Sequence, residues 1–175
     1  MRRRFLLFLT GFAVVACRHA PAVPVTVGTA GAPPALVANA AVVGAVDGDT
    51  VLMRVGGDEV LVRLLGIDTP ETKHPDKPVQ CYGPEASART EELLPDGTPV
   101  RLERDREARD RYDRLLTYVF RAEDGLFVNL ALAREGYART LWIAPNRAYA
   151  PDLDAAVATA RAAGLGLWGA CPPSP

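Results

Sequence analysis

The chain has 175 residues, of which 49% are hydrophobic and 23% are charged, and its formal net charge at pH 7 is −1. This composition is ordinary for a globular protein and excludes a chain that is disordered throughout, and the length suits one domain with a hydrophobic core. A charge near zero also excludes a protein that holds nucleic acid through a strongly basic overall field. Any such binding would need a local set of cations, for which the candidates are Arg63, Lys73, Lys77, Arg111 and Arg114.

The first sixteen residues predict an export signal. Residues 2–4 are arginines, and residues 5–16 form an apolar stretch that is too short to span a bilayer comfortably. The segment ends in Val-Val-Ala-Cys at residues 14–17, which is similar to a bacterial lipobox, the motif whose cysteine becomes the lipidated first residue of the mature protein. We therefore expect an exported lipoprotein that is anchored to a membrane through Cys17. The alternative is an ordinary signal peptide and a secreted protein.

Residues 17–40 predict a disordered tether between this signal and the folded domain. Prolines at positions 21, 24, 33 and 34 interrupt any regular element, and no Lys, Arg, Asp or Glu follows Arg18 up to Ala40. Such a segment would hold a domain some distance from a membrane surface. The folded domain is then expected to comprise residues 41–175.

From residue 41 the pattern predicts short strands first and helices later. β-Branched residues bounded by Gly and Asp are typical of strands, whereas proline at the first position and glycine after the last are typical of helices. The predicted strands are residues 41–46, 51–55, 60–67, 98–104 and 115–121, and the predicted helices are residues 83–94, 128–134 and 151–163. One domain with five strands and three helices results.

Carboxylates stand at both ends of the first predicted hairpin. Asp47 and Asp49 precede one apolar run, a glycine-rich turn follows, and a second run leads to Asp68 and Glu71. Because a hairpin of this length brings its ends together, Asp49 and Asp68 are expected to meet in space. Arg63 lies on the returning strand, as a cation beside the acidic cluster.

This set of groups predicts a phosphodiester hydrolysis site. Two carboxylates and a nearby backbone carbonyl make a hard oxygen site, which suits calcium or magnesium better than zinc. Glu71 could orient or deprotonate a water next to the metal, and the guanidinium of Arg63 offers a planar pair of donors that matches phosphate oxygens. The histidines, His19 and His74, lie in the tether and in a polar, proline-flanked loop. A Ser-His-Asp triad is therefore not expected.

The same stretch resembles the first signature of the staphylococcal nuclease (thermonuclease) family. The matching positions are Asp47-Gly48-Asp49-Thr50, Arg63-Leu64, Ile67-Asp68 and Pro70-Glu71, with nine residues between Met53 and Arg63. A second block, Asp110-Arg111-Tyr112-Asp113-Arg114, is similar to the family's Asp-basic-Tyr-Gly-Arg motif. The resemblance runs from about Val42 to about Trp168, which is most of the mature chain.

The resemblance implies an α+β fold that is mainly a β barrel, namely an OB-fold with five strands and three packed helices. It also implies a monomeric, calcium-dependent nuclease that hydrolyses single-stranded DNA or RNA and leaves 3′-phosphates. By the resemblance the ligands of Ca²⁺ are Asp49, Asp68 and the backbone carbonyl of Thr69. The catalytic residues would be Arg63, Glu71 and Arg114, and the substrate-binding residues would be Arg111 and Tyr112.

Several alternatives stay open at this point. The chain could be a non-catalytic nucleic-acid-binding module on the same barrel, although the joint presence of the acids and arginines favours catalysis. Tyr112 could be a core tyrosine, and Glu71 could be either a general base or a residue that positions the attacking water. The chain also departs from the family in two places, because Asp113 replaces a glycine and residues 141–146 lack the tyrosines that stack a base.

The remaining cysteines predict a disulfide. With Cys17 assigned to lipidation, an exported domain is expected to pair Cys81 with Cys171. The bond would tie the C-terminal segment after Trp168 back to the active-site loop. Trp142 and Trp168 themselves are expected to be packing residues rather than platforms for bases.

Overall fold

The structure is a computed structural model that describes residues 35–73 and 78–172, and the account below concerns these residues alone. The predicted signal segment, the lipidation at Cys17 and most of the predicted tether lie outside this part of the chain, as do His74 and Lys77.

Five strands form a closed barrel in the order β1-β2-β3-β6-β5, and a separate pair joins β4 to β7. The strands are β1 (Ala40–Ala45), β2 (Thr50–Val55), β3 (Asp58–Leu64), β4 (Gly66–Asp68), β5 (Pro99–Glu103), β6 (Leu115–Arg121) and β7 (Arg139–Leu141). The helices are α1 (Gly83–Leu93), α2 (Val128–Arg134), α3 (Ala150–Ala162) and α4 (Leu167–Ala170). The predicted OB-fold with a five-stranded barrel and packed helices is confirmed.

The barrel closes through one parallel pairing. Residues 62–64 of β3 pair in parallel with residues 115–117 of β6, whereas the other barrel pairs are antiparallel. Alternate residues of the strands point inward, as the period of a strand requires. The buried side chains that fill this core include Met53, Val62, Val100 and Leu116.

The predicted strand at residues 60–67 is two strands. Gly66 begins β4 with a φ of 78°, a left-handed conformation that glycine adopts without steric cost. A Cβ at Gly66 would lie 2.5 Å from Leu153 of α3 and 2.9 Å from the ring of Trp142. These two side chains leave no room for a larger residue at position 66. β4 then pairs with β7, which the sequence pattern did not predict.

The three longer helices agree with the predicted ones, and the short α4 was not predicted. α1 begins with Pro84 in its first turn, after Tyr82 in a left-handed conformation. Buried Thr90 on α1 donates from its hydroxyl to the carbonyl of Gly48 at 2.7 Å. This bond connects α1 to the loop between β1 and β2, where the first acidic residues lie.

The end of the predicted tether contacts the barrel. The backbone nitrogen of Leu36 donates to the carbonyl of Ala122 at 2.8 Å. The Asn39 side chain both donates to the carbonyl of Leu102 at 3.0 Å and accepts from its nitrogen at 2.7 Å. Leu36 and Asn39 are therefore hydrogen-bonded to the barrel.

The predicted disulfide is present between Cys81, just before α1, and Cys171, just after α4. Trp142 and Trp168 are partly buried against the hydrophobic core, so their prediction as packing residues is confirmed. Arg147 lies over the ring of Trp142 at 4.9 Å, and Arg161 over that of Trp168 at 5.3 Å. Within the ranges that the structure describes, no helix has both the length and the apolar character needed to cross a membrane.

Candidate active site

The structure places every predicted metal, catalytic and substrate-binding residue along one cleft of about 460 Å³. Its lining comprises Asp47, Asp49, Arg63, Asp68, Thr69, Glu71, Gln80, Arg111, Tyr112, Arg114, Leu141 and Ile143. A smaller cavity of about 290 Å³ near the start of β3 has a more apolar wall, with Val60 and Leu115, and none of the predicted site residues. The cleft is the candidate site because it brings the predicted residues together.

Arg63 joins the two expected metal carboxylates. Its Nη2 lies 3.0 Å from an oxygen of Asp49 and 3.0 Å from an oxygen of Asp68. The expectation that the ends of the first hairpin bring Asp49 and Asp68 together is confirmed. The two acids differ in exposure, because the side chain of Asp49 is 9% exposed and that of Asp68 is 50% exposed.

The other terminal nitrogen of Arg63 anchors the side chain to the backbone. Nη1 donates to the carbonyl of Leu64 at 2.7 Å and to that of Ile67 at 2.8 Å. These carbonyls belong to the corner between β3 and β4, so the guanidinium is buried and held in one orientation. Donors fixed in this way lose little entropy when they bind an anion.

Asp49 is held from both sides by donors that its neighbours supply. One carboxylate oxygen accepts from the hydroxyl of Thr50 at 3.2 Å, and the other accepts from the backbone nitrogen of Thr69 at 2.9 Å. Burial nevertheless raises the pKa of Asp49, against the opposing effect of Arg63. For Asp47, burial and then the charge of Asp49 raise the pKa from 3.8 to about 6. Burial is therefore the main reason that the pKa values of both carboxyl groups are raised.

Gly48 allows the two acidic loops to touch. A Cβ at this position would lie 2.6 to 2.9 Å from the side-chain atoms of Thr69. Only glycine can therefore bring the Asp47–Asp49 loop so close to the end of β4 without displacing Thr69. The carbonyl of Gly48 is the acceptor for Thr90 on α1, which holds the loop from its other side.

Glu71 follows β4 and faces the cleft. Its Oε1 accepts from the backbone nitrogens of Thr72 and Lys73, both at 2.9 Å. Its own backbone nitrogen donates to Oε1 of Gln80 at 3.0 Å. The carboxylate is thus oriented by backbone donors, and its backbone is oriented by a residue nine positions later.

Arg114 reaches the cleft from the segment that precedes β6. Its Nε donates to Asp110 at 2.7 Å, and its Nη1 donates to the Thr50 hydroxyl at 3.4 Å. Because Thr50 also donates to Asp49, a chain of hydrogen bonds connects Arg114 to the acidic pair. The second predicted catalytic arginine therefore lies at the same centre as Arg63.

Tyr112 is 63% exposed, so the alternative that it is a core tyrosine is wrong. The guanidinium of Arg111 lies 4.7 Å from the centre of its ring and that of Arg114 lies 5.5 Å from it. The Tyr112 hydroxyl also accepts from Arg111 Nη2 at 2.5 Å. The three side chains form a cationic and aromatic surface at the mouth of the cleft.

Asp113 adopts the conformation for which a glycine would be expected. Its φ is 62°, and Asp is among the few residues with a side chain that tolerate the left-handed region. Its carboxylate is 85% exposed and pairs with Arg109 at 3.2 Å. The added negative charge therefore has its counter-ion in Arg109 rather than in Arg111 or Arg114.

The donor set of the cleft suits a hard divalent cation. In the ranges 35–73 and 78–172 no group of three or more His, Cys, Asp or Glu side chains could hold a metal ion. The expected set, however, has two carboxylates and one backbone carbonyl, and hard cations complete their shells with waters. Burial raises the pKa of both Asp47 and Asp49, and a divalent cation bound beside them would favour their ionised forms.

Three supporting residues were not predicted. Asp110 orients Arg114, Thr90 holds the loop of Gly48, and Gln80 holds the backbone of Glu71. The four-residue spacing between Asp110 and Arg114 could have indicated their pairing. No comparable signal marks Thr90, whose partner Gly48 is 42 positions away, or Gln80, whose residue type is ordinary for an exposed loop.

The sequence of this chain is similar to those of several known proteins. Residues 61–170 match the family model described as staphylococcal nuclease homologue. The chain is 42% identical over 123 residues to the thermonuclease of Staphylococcus intermedius, and the aligned region covers 70% of this chain and 71% of that protein. It is 39% identical over 127 residues to the thermonuclease of Staphylococcus hyicus, with 73% of each chain covered. It is 40% identical over 126 residues to endonuclease YncB of Bacillus subtilis, with 71% of this chain and 58% of that protein covered.

Proposed function

The chain belongs to the family of staphylococcal nuclease homologues, and from this membership we propose that it is a calcium-dependent nuclease that hydrolyses phosphodiester bonds in DNA or RNA. The observation that carries the proposal is the cleft in which Asp49 and Asp68 share Nη2 of Arg63, with Glu71 and Arg114 beside them. Binding alone does not require oriented acids next to oriented arginines. Phosphoryl chemistry requires both.

Asp49, Asp68 and the backbone carbonyl of Thr69 would hold Ca²⁺. The bound ion would supply electrostatic stabilisation of the negative charge that develops on the phosphate oxygens, which contributes several kcal/mol in such sites. The three groups are hard oxygen ligands, and Asp68 is exposed enough to meet an ion that enters from the cleft.

Arg63 and Arg114 bind the phosphate group during the reaction. Both are held by carbonyl or carboxylate acceptors before any substrate arrives, so both guanidinium groups are already positioned at the cleft that they line. A pentacoordinate phosphorus carries more negative charge than the diester, and the arginines therefore bind it more strongly than the ground state. Removal of one such donor typically lowers turnover by about 10²-fold or more.

Glu71 acts on the attacking water. Backbone donors from Thr72 and Lys73 occupy Oε1, so Oε2 is the oxygen that can accept a proton or a hydrogen bond from water. Attack at phosphorus then expels the 5′-oxygen of the next nucleotide and leaves a 3′-phosphate. Mass spectrometry of the cleaved ends distinguishes this product from a 5′-phosphate.

Arg111 and Tyr112 bind the substrate outside the reacting centre. Among the residues that the structure describes, Arg111 contacts Tyr112 and no acidic side chain, and Tyr112 presents an exposed ring. A phosphate can pair with the guanidinium, and an unpaired base can stack on the ring. Stacking of this kind favours single-stranded DNA or RNA, in which the base faces are accessible.

The decisive experiment measures cleavage of single-stranded DNA by the purified chain with calcium, with excess chelator, and with calcium restored. We expect turnover only in the first and third conditions. Glu71→Gln should lower turnover by about 10²-fold or more, and Glu59→Gln, which alters an exposed glutamate that pairs with Arg54, serves as the matched control. Binding of DNA without turnover in calcium would favour the non-catalytic module instead.

The proposed location of the enzyme is outside the cytoplasm. The basic start, the apolar stretch and the lipobox-like residues 14–17 support export and a membrane anchor through Cys17. A disulfide between Cys81 and Cys171 is consistent with an oxidising compartment. We expect the enzyme to act as a monomer, since the site is assembled from residues of one chain.

A further inference from the structure

Gln80 makes an unusually complete connection to Glu71. Its side-chain Oε1 accepts from the Glu71 nitrogen at 3.0 Å, and its backbone nitrogen donates to the Glu71 carbonyl at 2.9 Å. Its own carbonyl accepts, at 3.0 Å, from the nitrogen of Gly83, the first residue of α1. One exposed residue therefore fixes the backbone of Glu71 on both sides and connects it to a helix.

The start of α1 lies directly against the same backbone. A Cβ at Gly83 would lie 2.8 Å from the Thr72 side chain and 3.1 Å from the carbonyls of Glu71 and Pro70. A shift of the Gln80 corner would therefore move the peptide groups that flank Glu71. The nitrogens of Thr72 and Lys73, which orient its carboxylate, would move with them.

Few apolar contacts hold the Gln80 corner in place. Val79, Gln80 and Cys81 are all exposed, and Val79 is 59% exposed. Exposed segments with little buried surface open at low free-energy cost. The covalent constraint at this corner is the bond from Cys81 to Cys171.

Cys171, in contrast, follows a firmly packed segment. Leu167 on α4 is buried, and its nitrogen donates to the Gly136 carbonyl at 2.9 Å. The backbones of Gly136 and Gly166 approach so closely that a Cβ on Gly166 would lie 2.3 Å from the Gly136 carbonyl oxygen. The disulfide thus attaches an exposed corner to a rigid part of the domain.

We propose that Gln80 is a positioning residue for Glu71, and that the Cys81–Cys171 disulfide keeps Gln80 in place, so that the redox state of this bond sets the turnover of the enzyme. Reduction breaks the sulfur–sulfur bond and adds two electrons and two protons, which gives two thiols, while a dithiol reductant is oxidised to its own disulfide. The reduced enzyme keeps its substrate-binding surface at Arg111 and Tyr112, since no hydrogen bond between described residues connects Gln80 to either of them. The inference rests on the proposed nuclease function.

The test compares turnover with substrate affinity in the full chain, on single-stranded DNA in calcium. Gln80→Met keeps the length of the side chain but removes the acceptor for the Glu71 nitrogen, and Gln80→Glu restores an acceptor. We expect Gln80→Met to lower kcat by roughly 10- to 100-fold with KM within about twofold, since small displacements of a catalytic group have effects of this size. Gln80→Glu should recover most of the lost kcat.

The disulfide is tested by treatment with a dithiol and by the pair Cys81→Ser and Cys171→Ser. Either change should lower kcat in the wild type and have little further effect on Gln80→Met, because two changes that act through one contact are not additive. Val157→Ala in α3, a core residue that does not line the cleft, is the control for lost stability, and its kcat should be unchanged at a temperature where all variants are folded.

Amide hydrogen exchange supplies a readout that does not depend on activity. The Glu71 amide should exchange faster in Gln80→Met and in the reduced protein, while amides in β2 and β3 keep their protection. Unchanged kcat and unchanged Glu71 exchange in oxidised Gln80→Met would overturn the inference. An oxidised wild type that does not cleave DNA would instead contradict the proposed function, and the exchange data would still decide the role of Gln80.

Discussion

Asp110 accepts two hydrogen bonds from Arg114, one from the backbone nitrogen at 3.0 Å and one from Nε at 2.7 Å. Burial alone would raise the pKa of the Asp110 carboxyl, but the hydrogen bonds from Arg114 and from the Tyr112 nitrogen outweigh burial and hold the pKa below 3.8. The ionised form of Asp110 is therefore the form that the folded protein prefers.

Asp110→Asn should lower turnover by about tenfold, because Arg114 loses a charged acceptor that fixes its guanidinium. The substitution should also lower the free energy of unfolding at neutral pH. A group with a lowered folded pKa stabilises the protein above its unfolded pKa, and this stabilisation is lost as the pH falls through the folded value. Denaturation of both proteins between about pH 7 and pH 2 should show curves that converge at acid pH. Curves that stay parallel would contradict this role for Asp110.

Arg63→Lys tests whether the planar guanidinium matters beyond its charge. In Arg63 one terminal nitrogen donates to the carbonyls of Leu64 and Ile67 while the other contacts the acidic pair. Lysine keeps the positive charge, but its single nitrogen cannot make both sets of contacts. We expect turnover to fall by about 10²-fold or more at saturating substrate in calcium. Arg54→Lys, at an exposed pair with Glu59, should leave turnover unchanged. Near wild-type turnover in Arg63→Lys would remove Arg63 from the catalytic set.

Arg111→Ala should have the opposite kinetic signature. Its guanidinium lies on the ring of Tyr112 and makes no ion pair with Asp49 or Asp68 in the described structure. We therefore expect KM for single-stranded DNA to rise while kcat at saturation is retained. This follows when the lost contact binds the ground state and the transition state equally well. Arg106→Ala changes an exposed arginine in the same charged run and is the matched control. A fall in kcat without a rise in KM would place Arg111 at the reacting phosphate.

Reduction of the disulfide should lower the melting temperature. The bond closes a loop with a sequence separation of 90 residues, and the loss of such a crosslink typically costs about 2 to 5 kcal/mol. Calorimetry of oxidised and reduced protein measures the difference, and the Cys81→Ser, Cys171→Ser double variant should resemble the reduced form. Titration of two free thiols in native, non-reduced protein would rule the bond out.

Cys17→Ser tests the proposed membrane anchor. If residues 14–17 form a lipobox, the substitution should release the protein to the medium or stall its processing. Fractionation of cells and mass spectrometry of the mature N-terminus measure both outcomes. A wild type that is already free, without lipid and with its N-terminus elsewhere, would support the ordinary signal peptide.

The barrel strands were predictable because they are short, rich in β-branched residues and separated by glycine and aspartate. The break at Gly66 was not, because Leu65, Gly66 and Ile67 continue an apolar run. Its cause is tertiary: the ring of Trp142 and the side chain of Leu153 fill the space beside Gly66. The pairing of β4 with β7 follows from that break, so it could not be predicted from local pattern.

The acidic residues and arginines of the cleft were predictable because they lie in two compact sequence motifs. Their supports were not, because the partners are distant along the chain, as with Thr90 and Gly48, or because an ordinary residue type carries the contact, as with Gln80. The exposure of Tyr112 also needed the structure. Tyrosine occurs both in cores and on surfaces, and its neighbours in sequence do not distinguish the two.

The parallel contact between β3 and β6 makes activity a consequence of barrel closure. The segment from β1 through β4 supplies Asp49, Arg63 and Asp68, whereas Arg114 arrives only when residues 62–64 meet residues 115–117. Such a contact between distant segments forms late compared with a local hairpin. If the chain is exported as proposed, a chain that is still unfolded as it crosses the membrane would hold the acids without their second arginine, and the site would be complete only after folding on the far side.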